Sequence, residues 1–439
     1  MAVPDSSSLT PDQRKAAAGL LRAAAAPVLP LGRRFGRQGY ELALVGGSVR
    51  DVFLGRSHGD LDLATDARPE QVLRLVTGWA DKVWEVGIAF GTVGIRKGGT
   101  VCEITTYRSE KYRPQSRKPD VDYGTSLEAD LRRRDFTVNA MAARLPSLEL
   151  VDPFGGLGDL RDKVLRTPGP PEESFTDDPL RMLRAARLAA QLGFSVAAGA
   201  RAAMTALAGR LDVVAAERIK DELAKLMLAP GPDGPGRGIS LLTDTGVASQ
   251  VLPEVPRLRL EVDEHFRHKD VYQHSLTVLA QAIELEPAYG LRPPGQPGDL
   301  VLRLAALLHD IGKPKTRTLL PDGRVAFHHH EVAGAKLARA RLARLRFPAS
   351  VVSDVSTLIG LHLRFHGYAE GEWTDAAVRR YVRDAGHLLS RLHVLTRADC
   401  TTRNKQKAAR LARAYDQLEK RITALAEQEE LNRIRPDLD

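Results

Sequence analysis

One stretch, residues 44–65, reads LVGGSVRDVFLGRSHGDLDLAT and leaves the chain few ways to fold around it. An apolar strand over 42–45 runs into Gly46-Gly47, where the missing Cβ atoms permit a close backbone approach. The chain then enters a short amphipathic segment over 48–54. A helix N-terminus at that point is a ready anion site. Gly55 and Gly59 break the chain again, and it returns as Asp60-Leu61-Asp62-Leu63, where period-2 geometry puts both carboxylates on one strand face. Two acids on one face suit a divalent cation, and Mg²⁺ takes one or two carboxylates plus phosphate oxygens. Alone, each half also reads as a plain turn or a solvated edge strand. At this spacing, the two together favour a site for in-line displacement at phosphorus.

At 439 residues, 43% apolar and 27% charged, the composition is that of a globular protein with room for several domains. The formal charge of +9 suits a polyanionic partner. Only Cys102 and Cys400 are present, so a disulfide framework is excluded and a reducing, cytoplasmic setting is the simpler reading. The alanine-rich run over 16–26 is interrupted by Arg22 and is too short to span a bilayer, so no membrane partner is expected.

Residues 1–10 are polar and read as loose, and 11–29 as one helix with Thr10 as N-cap and Pro11 at its first position. A helix over 69–75 and strands over 82–86, 92–96 and 101–107 follow, making a mixed sheet with helices on one face. In the last strand Glu103 alternates with Cys102 and Ile104, so its carboxylate is a candidate third acid beside Asp60 and Asp62 or a cross-strand partner for an arginine. The charged stretch 108–130, with Pro114 and Pro119, reads as a mobile loop over the site. Then comes RRRDFTVNA over 132–140, where arginine forks and an Asn can hold phosphates and ribose, or form a solvated basic helix end. A turn at 152–156 and a stiff linker at 167–171 close the first domain.

From Asp177 on, strands are expected to disappear. A helix is read from there, with acids at its beginning and Pro179 in its first turn. Asp178, Arg181, Arg184 and Arg187 recur every three residues and share a helical face. An Asp accepts from an exocyclic amine while an Arg donates to ring acceptors, so such a pair accepts C and A and rejects G and U. An ordinary amphipathic helix shows a charged stripe too.

GGSVRD with DLDLAT, RRRDFTVNAMA, DPFGGLGDL, DDPLRMLRAAR and ERIKDEL, in that order over residues 40–230, resemble the class II tRNA nucleotidyltransferase (CCA-adding enzyme) and bacterial poly(A) polymerase family. The resemblance implies catalytic Mg²⁺ on Asp60 and Asp62. It also implies nucleotide contacts from Gly46, Gly47, Arg50, Arg134, Asp135 and Asn139, and a templating helix carrying Asp178, Arg181, Arg184 and Arg187. The family usually begins that helix with Glu-Asp; this chain has Asp177-Asp178, which shortens the first acid and leaves the base-reading pair intact.

Further on, Gly/Pro-rich stretches at 231–238 and 292–298 read as breaks between helices, with helices over 268–284 and 300–311. A His, a His-Asp and a distant Asp converge on one cation only if those helices pack together. The pattern His274, His309-Asp310, Asp399, with LLHDIGKP and FHHHEVAGA, resembles the HD phosphohydrolase superfamily over 265–400. That resemblance implies His274, His309, Asp310 and Asp399 as ligands of a divalent transition metal, with His330 and His362 available to a second. An HD fold retained without turnover is the alternative. After Cys400 the chain reads as one long helix whose basic first half can track an RNA backbone, or simply face solvent.

The resulting expectation is an α+β fold: an N-terminal extension (1–39), a nucleotidyltransferase head with a small mixed β-sheet (40–168), an all-α neck (169–256), an all-α HD domain (257–405) and a basic helix (406–439). The resemblance implies addition of CCA to tRNA 3′ ends from CTP and ATP. A CC-, A- or poly(A)-adding relative, or a metal-dependent phosphohydrolase acting on RNA ends or nucleotides, are the alternatives.

Overall fold

Pro27 and Pro30 divide what the alanine pattern suggests is one N-terminal helix. In the computed structural model, which describes residues 10–56, 59–85, 91–111, 120–124, 126–260, 270–321, 325–365, 368, 373–401 and 404–434, the helix Pro11–Ala25 stops, a short 3₁₀ turn carries Pro27, and a second helix, Leu29–Arg37, starts with Pro30 in its first turn. Thr10 caps the first helix: its hydroxyl accepts from the Gln13 N–H, and the Gln13 side chain accepts from the Thr10 N–H. The reading of residues 1–9, and of the loop tip 112–119, lies outside the described residues.

The chain divides into two compact units, residues 1–181 with 194–207, and residues 182–193 with 208–439. The first holds a seven-stranded sheet. Its strands are β1 (Leu42–Val45), β2 (Leu61–Thr65), β3 (Lys82–Trp84), β4 (Thr92–Lys97), β5 (Thr100–Thr106), β8 (Ala142–Leu145) and β9 (Glu149–Val151), in the order β3-β4-β5-β2-β1-β8-β9. β2 and β5 are parallel and the other pairs antiparallel, so the sheet is mixed as the sequence suggests. Strand β1 is buried throughout, and Ala43 and Val45 on one side join Ala64, Tyr107, Leu127, Leu131, Ala140 and Ala142 in a core cluster. Gly94 lies where a Cβ would meet the Trp84 ring at 2.0 Å, so β3 can pair with β4 only over a glycine.

Several expectations need correction. The flanks of the supposed loop 108–130 are ordered: β6 (Arg108–Lys111) pairs antiparallel with β7 (Asp120–Tyr123), and a helix follows over Leu127–Arg132. Strands also continue past Asp177. β10 (Val164–Leu165) pairs with β11 (Ser195–Val196) in the first unit, and β12 (Arg317–Leu319) with β13 (Val325–Phe327) in the second. Runs of two or three residues are too short to show alternation. Asp177 ends a helix, Pro171–Asp177, instead of beginning one, and Asp178 is its C-cap before the helix Leu180–Leu192.

In the second unit the stretch read as a break at 231–238 is largely helix, Asp233–Asp244. Pro235 is tolerated in the first turn, where an N–H has no partner within the helix. Gly234 and Gly238 let this helix sit on the helix Leu180–Leu192: a Cβ on them would lie 3.1 Å from the Ala190 carbonyl and 3.0 Å from that of Ala186. Helices Val271–Leu285, Leu300–Leu308, His330–Arg344, Ala349–Leu361 and Leu389–Asp399 pack around a core that includes Val278, Leu279, Leu304, Leu307, Leu358 and Leu392. The final helix, Lys405–Ile434, is as long as its sequence pattern implies.

Candidate functional site

In the first unit the site is built on the turn after β1. Gly46 has φ +69°, a conformation that side chains rarely adopt, and a Cβ there would lie 2.8 Å from Arg134 Nη1 and 3.9 Å from Asp62 Oδ2. The turn, the arginine and the acid thus meet at one point. The helix Gly47–Phe53 begins there, and Ser48 Oγ accepts from the Asp62 N–H at 2.9 Å, tying the start of β2 to the turn. Ser48 was invisible as a site residue in the sequence; a Ser just after Gly-Gly is the only local sign. In the parallel pair β2–β5, Asp62 stands opposite Glu103, so both carboxylates project from the same face. Glu103 thus stands in register beside Asp62.

Asp62 keeps surface open to solvent, yet its carboxyl is raised above the ordinary aspartate range. Loss of water drives the rise, Arg134 opposes it, and the Glu103 and Asp60 charges add to it. Neither Asp60 nor Glu103 has an ion-pair partner among the described residues. Mutually repelling carboxylate oxygens beside a phosphate-sized turn fit a hard divalent cation. Among the described residues the tight three-ligand sets lie in the second unit, and the head acids form a looser set, suited to an ion that also takes substrate oxygens.

Arg134 is held from below. Asp130, 1% exposed, accepts from Arg134 Nη2 at 3.1 Å and from Arg133 Nη2 at 2.6 Å. Burial works against this carboxylate's charge, but the two guanidinium groups outweigh it and hold the group below its ordinary range. Arg134 Nε is buried without a hydrogen-bond partner among the described residues. Asp130 is a second residue the sequence did not single out. Arg50 donates from Nη1 to Asn139 Oδ1 at 2.7 Å and pairs with Asp51 at 2.9 Å, while Asn139 Nδ2 donates to Asp135 Oδ1 at 3.0 Å. Asp135, 6% exposed, also accepts from the Phe136 N–H, so it orients the Asn139 amide and through it Arg50.

Asp178 Oδ1 accepts from the Leu180 N–H at 3.2 Å, and Arg181 donates to Ser174 Oγ at 2.8 Å and to the Arg133 carbonyl. The Arg181 guanidinium is therefore tied to the residue next to Arg134. Arg184 and Arg187 belong to the second unit, where both face Glu222, at 3.8 and 2.5 Å.

In the second unit the six predicted HD residues converge. His274 Nε2 is 2.9 Å from Asp399 Oδ1 and 3.3 Å from His309 Nε2; His309 Nε2 is 3.2 Å from Asp310 Oδ2, and His330 Nε2 is 3.3 Å from Asp310 Oδ1. The His309 and His362 rings are 5.3 Å apart. Each histidine has its Nδ1 on an outer oxygen: Ala306 O for His309, Phe327 O for His330, Ile359 O for His362 and Thr401 Oγ1 for His274. Fixing Nδ1 in this way turns every Nε2 to the centre, the arrangement metal-ligating histidines need. His330 Nε2 is buried and, beyond its 3.3 Å approach to Asp310 Oδ1, makes no hydrogen bond among the described residues. Burial works against a proton on His309, but Asp310 and Asp399 outweigh it and raise the ring to about 10, while burial and His309 push His362 down to about 3. The centre demands positive charge and keeps a neutral ligand beside it. A divalent metal fits both conditions.

Profiles for three families match the chain: the Poly A polymerase head domain over residues 42–166, the "Probable RNA and SrmB- binding site of polymerase A" over 193–258, and the HD domain over 271–404. The chain is 34% identical to the A-adding tRNA nucleotidyltransferase of Deinococcus radiodurans, across 88% of its own length and 82% of the relative. It is 34% identical to the CCA-adding enzyme of Geobacillus thermodenitrificans across 75% and 73%. With the CCA-adding enzyme of Anoxybacillus flavithermus it shares 40% identity over 52% of its length and 55% of the relative, so it spans about half the length of that protein. The crystal structure of the Bacillus stearothermophilus CCA-adding enzyme in complex with CTP superposes with a TM-score of 0.64 at 26% identity, covering 92% of this chain and 83% of that one. Sustained over most of both chains, the likeness to the Deinococcus and Geobacillus proteins shows that this chain belongs to the class II tRNA nucleotidyltransferase and bacterial poly(A) polymerase family, and that it carries a C-terminal HD domain.

Proposed function

We propose that the protein adds C, C and A stepwise to the 3′ end of tRNA from CTP and ATP, releasing pyrophosphate. The observation that carries this reading is the meeting of Gly46, Asp62 and Arg134 at one turn, with Glu103 in register beside the aspartate. The likeness to a tRNA nucleotidyltransferase over most of both chains, and the Bacillus structure with CTP, support it.

In this reading Asp60 and Asp62 would hold Mg²⁺, which would supply charge to lower the pKa of the terminal 3′-hydroxyl and to offset the phosphates. The chain's own residues do the positioning. The glycine turn lets phosphate oxygens approach backbone N–H groups, Arg134 supplies a guanidinium steadied by Asp130, and Arg50 is aligned by Asn139 and Asp135. Asp178 and Arg181 choose the base, with Arg184 and Arg187 continuing the stripe. Catalysis here is mainly placement and charge stabilisation, as phosphoryl transfer generally is. His274, His309, Asp310 and Asp399, with His330 and His362, would hold a divalent transition metal, which would supply Lewis-acid chemistry to phosphoester hydrolysis. Neither cysteine forms a disulfide, in keeping with a cytoplasmic location. No helix among the described residues is long and apolar enough to cross a membrane.

The test is addition to a tRNA lacking its last three nucleotides, with labelled CTP alone, ATP alone, or both. Two additions with CTP and a third only with ATP present are expected, and Asp60→Ala should abolish addition while leaving tRNA affinity nearly intact. A second reading has its own support, because the Deinococcus relative matched over 88% of the chain is named A-adding. One A on a CC-ended tRNA, with no incorporation of CTP, would select it.

A further inference from the structure

The second unit has a pocket of about 370 Å³ lined by none of the residues named in either centre. Its lining is Arg364, Trp373, Thr374, Ala376, Ala377, Arg380 and Tyr381. It lies at the start of the helix Asp375–Ala385, where the Thr374 hydroxyl accepts from the Ala377 N–H and the two alanines leave the space open. Arg380 follows Ala376 and Ala377 by one turn, so it rises from the same helical face, and among the described residues nothing pairs with it. Arg364 pairs with Asp384, and Asp375 is taken by Arg421 at 2.6 Å, so among the described residues the charge left in the pocket is positive. The Trp373 ring meets Tyr368 at 88° and Tyr381 at 62°, a packing that holds the indole in place at the pocket wall. Tyr381 is 2% exposed, and its hydroxyl has no hydrogen-bond partner among the described residues.

A flat aromatic wall, a buried hydroxyl and an Arg380 guanidinium without a partner among the described residues, all within one small pocket, match a ligand with a planar ring at one end and an anion at the other. We propose that this pocket is a nucleotide-binding site, taking one nucleotide unit with its base against Trp373 and its phosphate on Arg380 beside Arg364. Two sources present that chemistry, a free mononucleotide and an unpaired nucleotide of RNA; the second rests on the tRNA reading above.

Photo-crosslinking of the full-length protein separates them, first with 8-azido-AMP and then with a tRNA transcript containing 4-thiouridine, the attachment points being mapped by peptide mass spectrometry. Crosslinking within residues 373–381 by the azido nucleotide, suppressed by AMP, assigns a free nucleotide. Crosslinking there by the RNA alone assigns an RNA nucleotide, and crosslinking there by neither overturns the proposal. Arg380→Glu, at an exposed position, should weaken binding of whichever probe labels the pocket about tenfold or more while leaving kcat at saturating tRNA unchanged. Unchanged affinity in that variant would also overturn it. The azido-AMP arm needs no nucleotide addition, so labelling here by a protein inactive in addition would sink the transferase reading and leave this one standing.

Discussion

Gly46 shows how a single residue can set a site. Its φ of +69° with ψ of −134° lies in a region nearly closed to L side chains, and strain of that kind costs about 1–3 kcal/mol. The contact a new Cβ would make is with the far end of Arg134, a side chain that can give way. Gly46→Ala should therefore fold with a stability loss of about 1–2 kcal/mol by urea denaturation, while kcat/KM for CTP falls much further, by about tenfold or more, because Arg134 is displaced. Loss of stability with unchanged kcat/KM would show that Arg134 does not act from this position. Asp130 gives a pH-dependent case. Its carboxyl is held below its ordinary 3.8 by Arg134 and Arg133 against burial, so the stability it contributes is fully present above that value and is lost as pH falls through the lowered one. Asp130→Ala, which leaves two arginines without their buried partner, should cost about 3 kcal/mol at pH 7. The gap between variant and parent should narrow below about pH 4. A gap independent of pH would place the effect in packing. Gly46, Asp60, Asp62 and Arg134 were legible because each sits in a short motif whose chemistry is local. Ser48 and Asp130 were not, since what marks them is a contact with Asp62 or Arg134 that only the folded chain makes.

At the scale of elements, reading every Gly and Pro as punctuation misplaces one helix. In the helix Asp233–Asp244 the glycines are instead the surface on which Leu180–Leu192 packs, and Pro235 occupies the one turn that accepts it. Strands β1 to β5 of the head were expected from the sequence, whereas β6 to β9 were not, and β10 to β13 are runs of two or three residues, too short to show a period. Another element-level feature had no sign in the sequence at all. Arg303, 1% exposed, donates from Nε and Nη2 to Glu286 at 2.6 and 2.7 Å and from Nη1 to the Met227 and Ala229 carbonyls at 2.8 and 3.0 Å. It thereby ties the helix Leu300–Leu308 to the ends of two other segments of the second unit. Within an apolar helical run, an arginine looks like a solvated interruption; here it is the tie. Arg303→Met leaves Glu286 buried and unpaired and should destabilise the second unit by about 3–5 kcal/mol, seen as a lowered melting transition by calorimetry. The double variant Arg303→Met with Glu286→Leu should recover much of that loss, since replacing both partners removes the stranded charge. A double variant no better than the single would assign the loss to the carbonyl contacts instead.

At the scale of the whole molecule, two demands for divalent metal stand in two compact units, each with its own core. The head acids are hard oxygen donors in a loose set, and the HD centre combines imidazole with carboxylate in a tight one, so different ions are favoured at each. The HD ligands could be named from motif wording, but their convergence depends on five helices and could not be read from spacing. Because the two sets share no residue, each should be removable without the other. Asp310→Ala withdraws the carboxylate that faces both His309 and His330, so the purified protein should lose its tightly held transition metal, measured by elemental mass spectrometry, while Mg²⁺-dependent incorporation of CTP stays within about twofold of the parent. Asp62→Ala should do the reverse, abolishing incorporation with the transition-metal content unchanged. Loss of incorporation in Asp310→Ala, at retained melting temperature and tRNA affinity, would mean that the two centres are energetically coupled, and the size of that loss would measure the coupling.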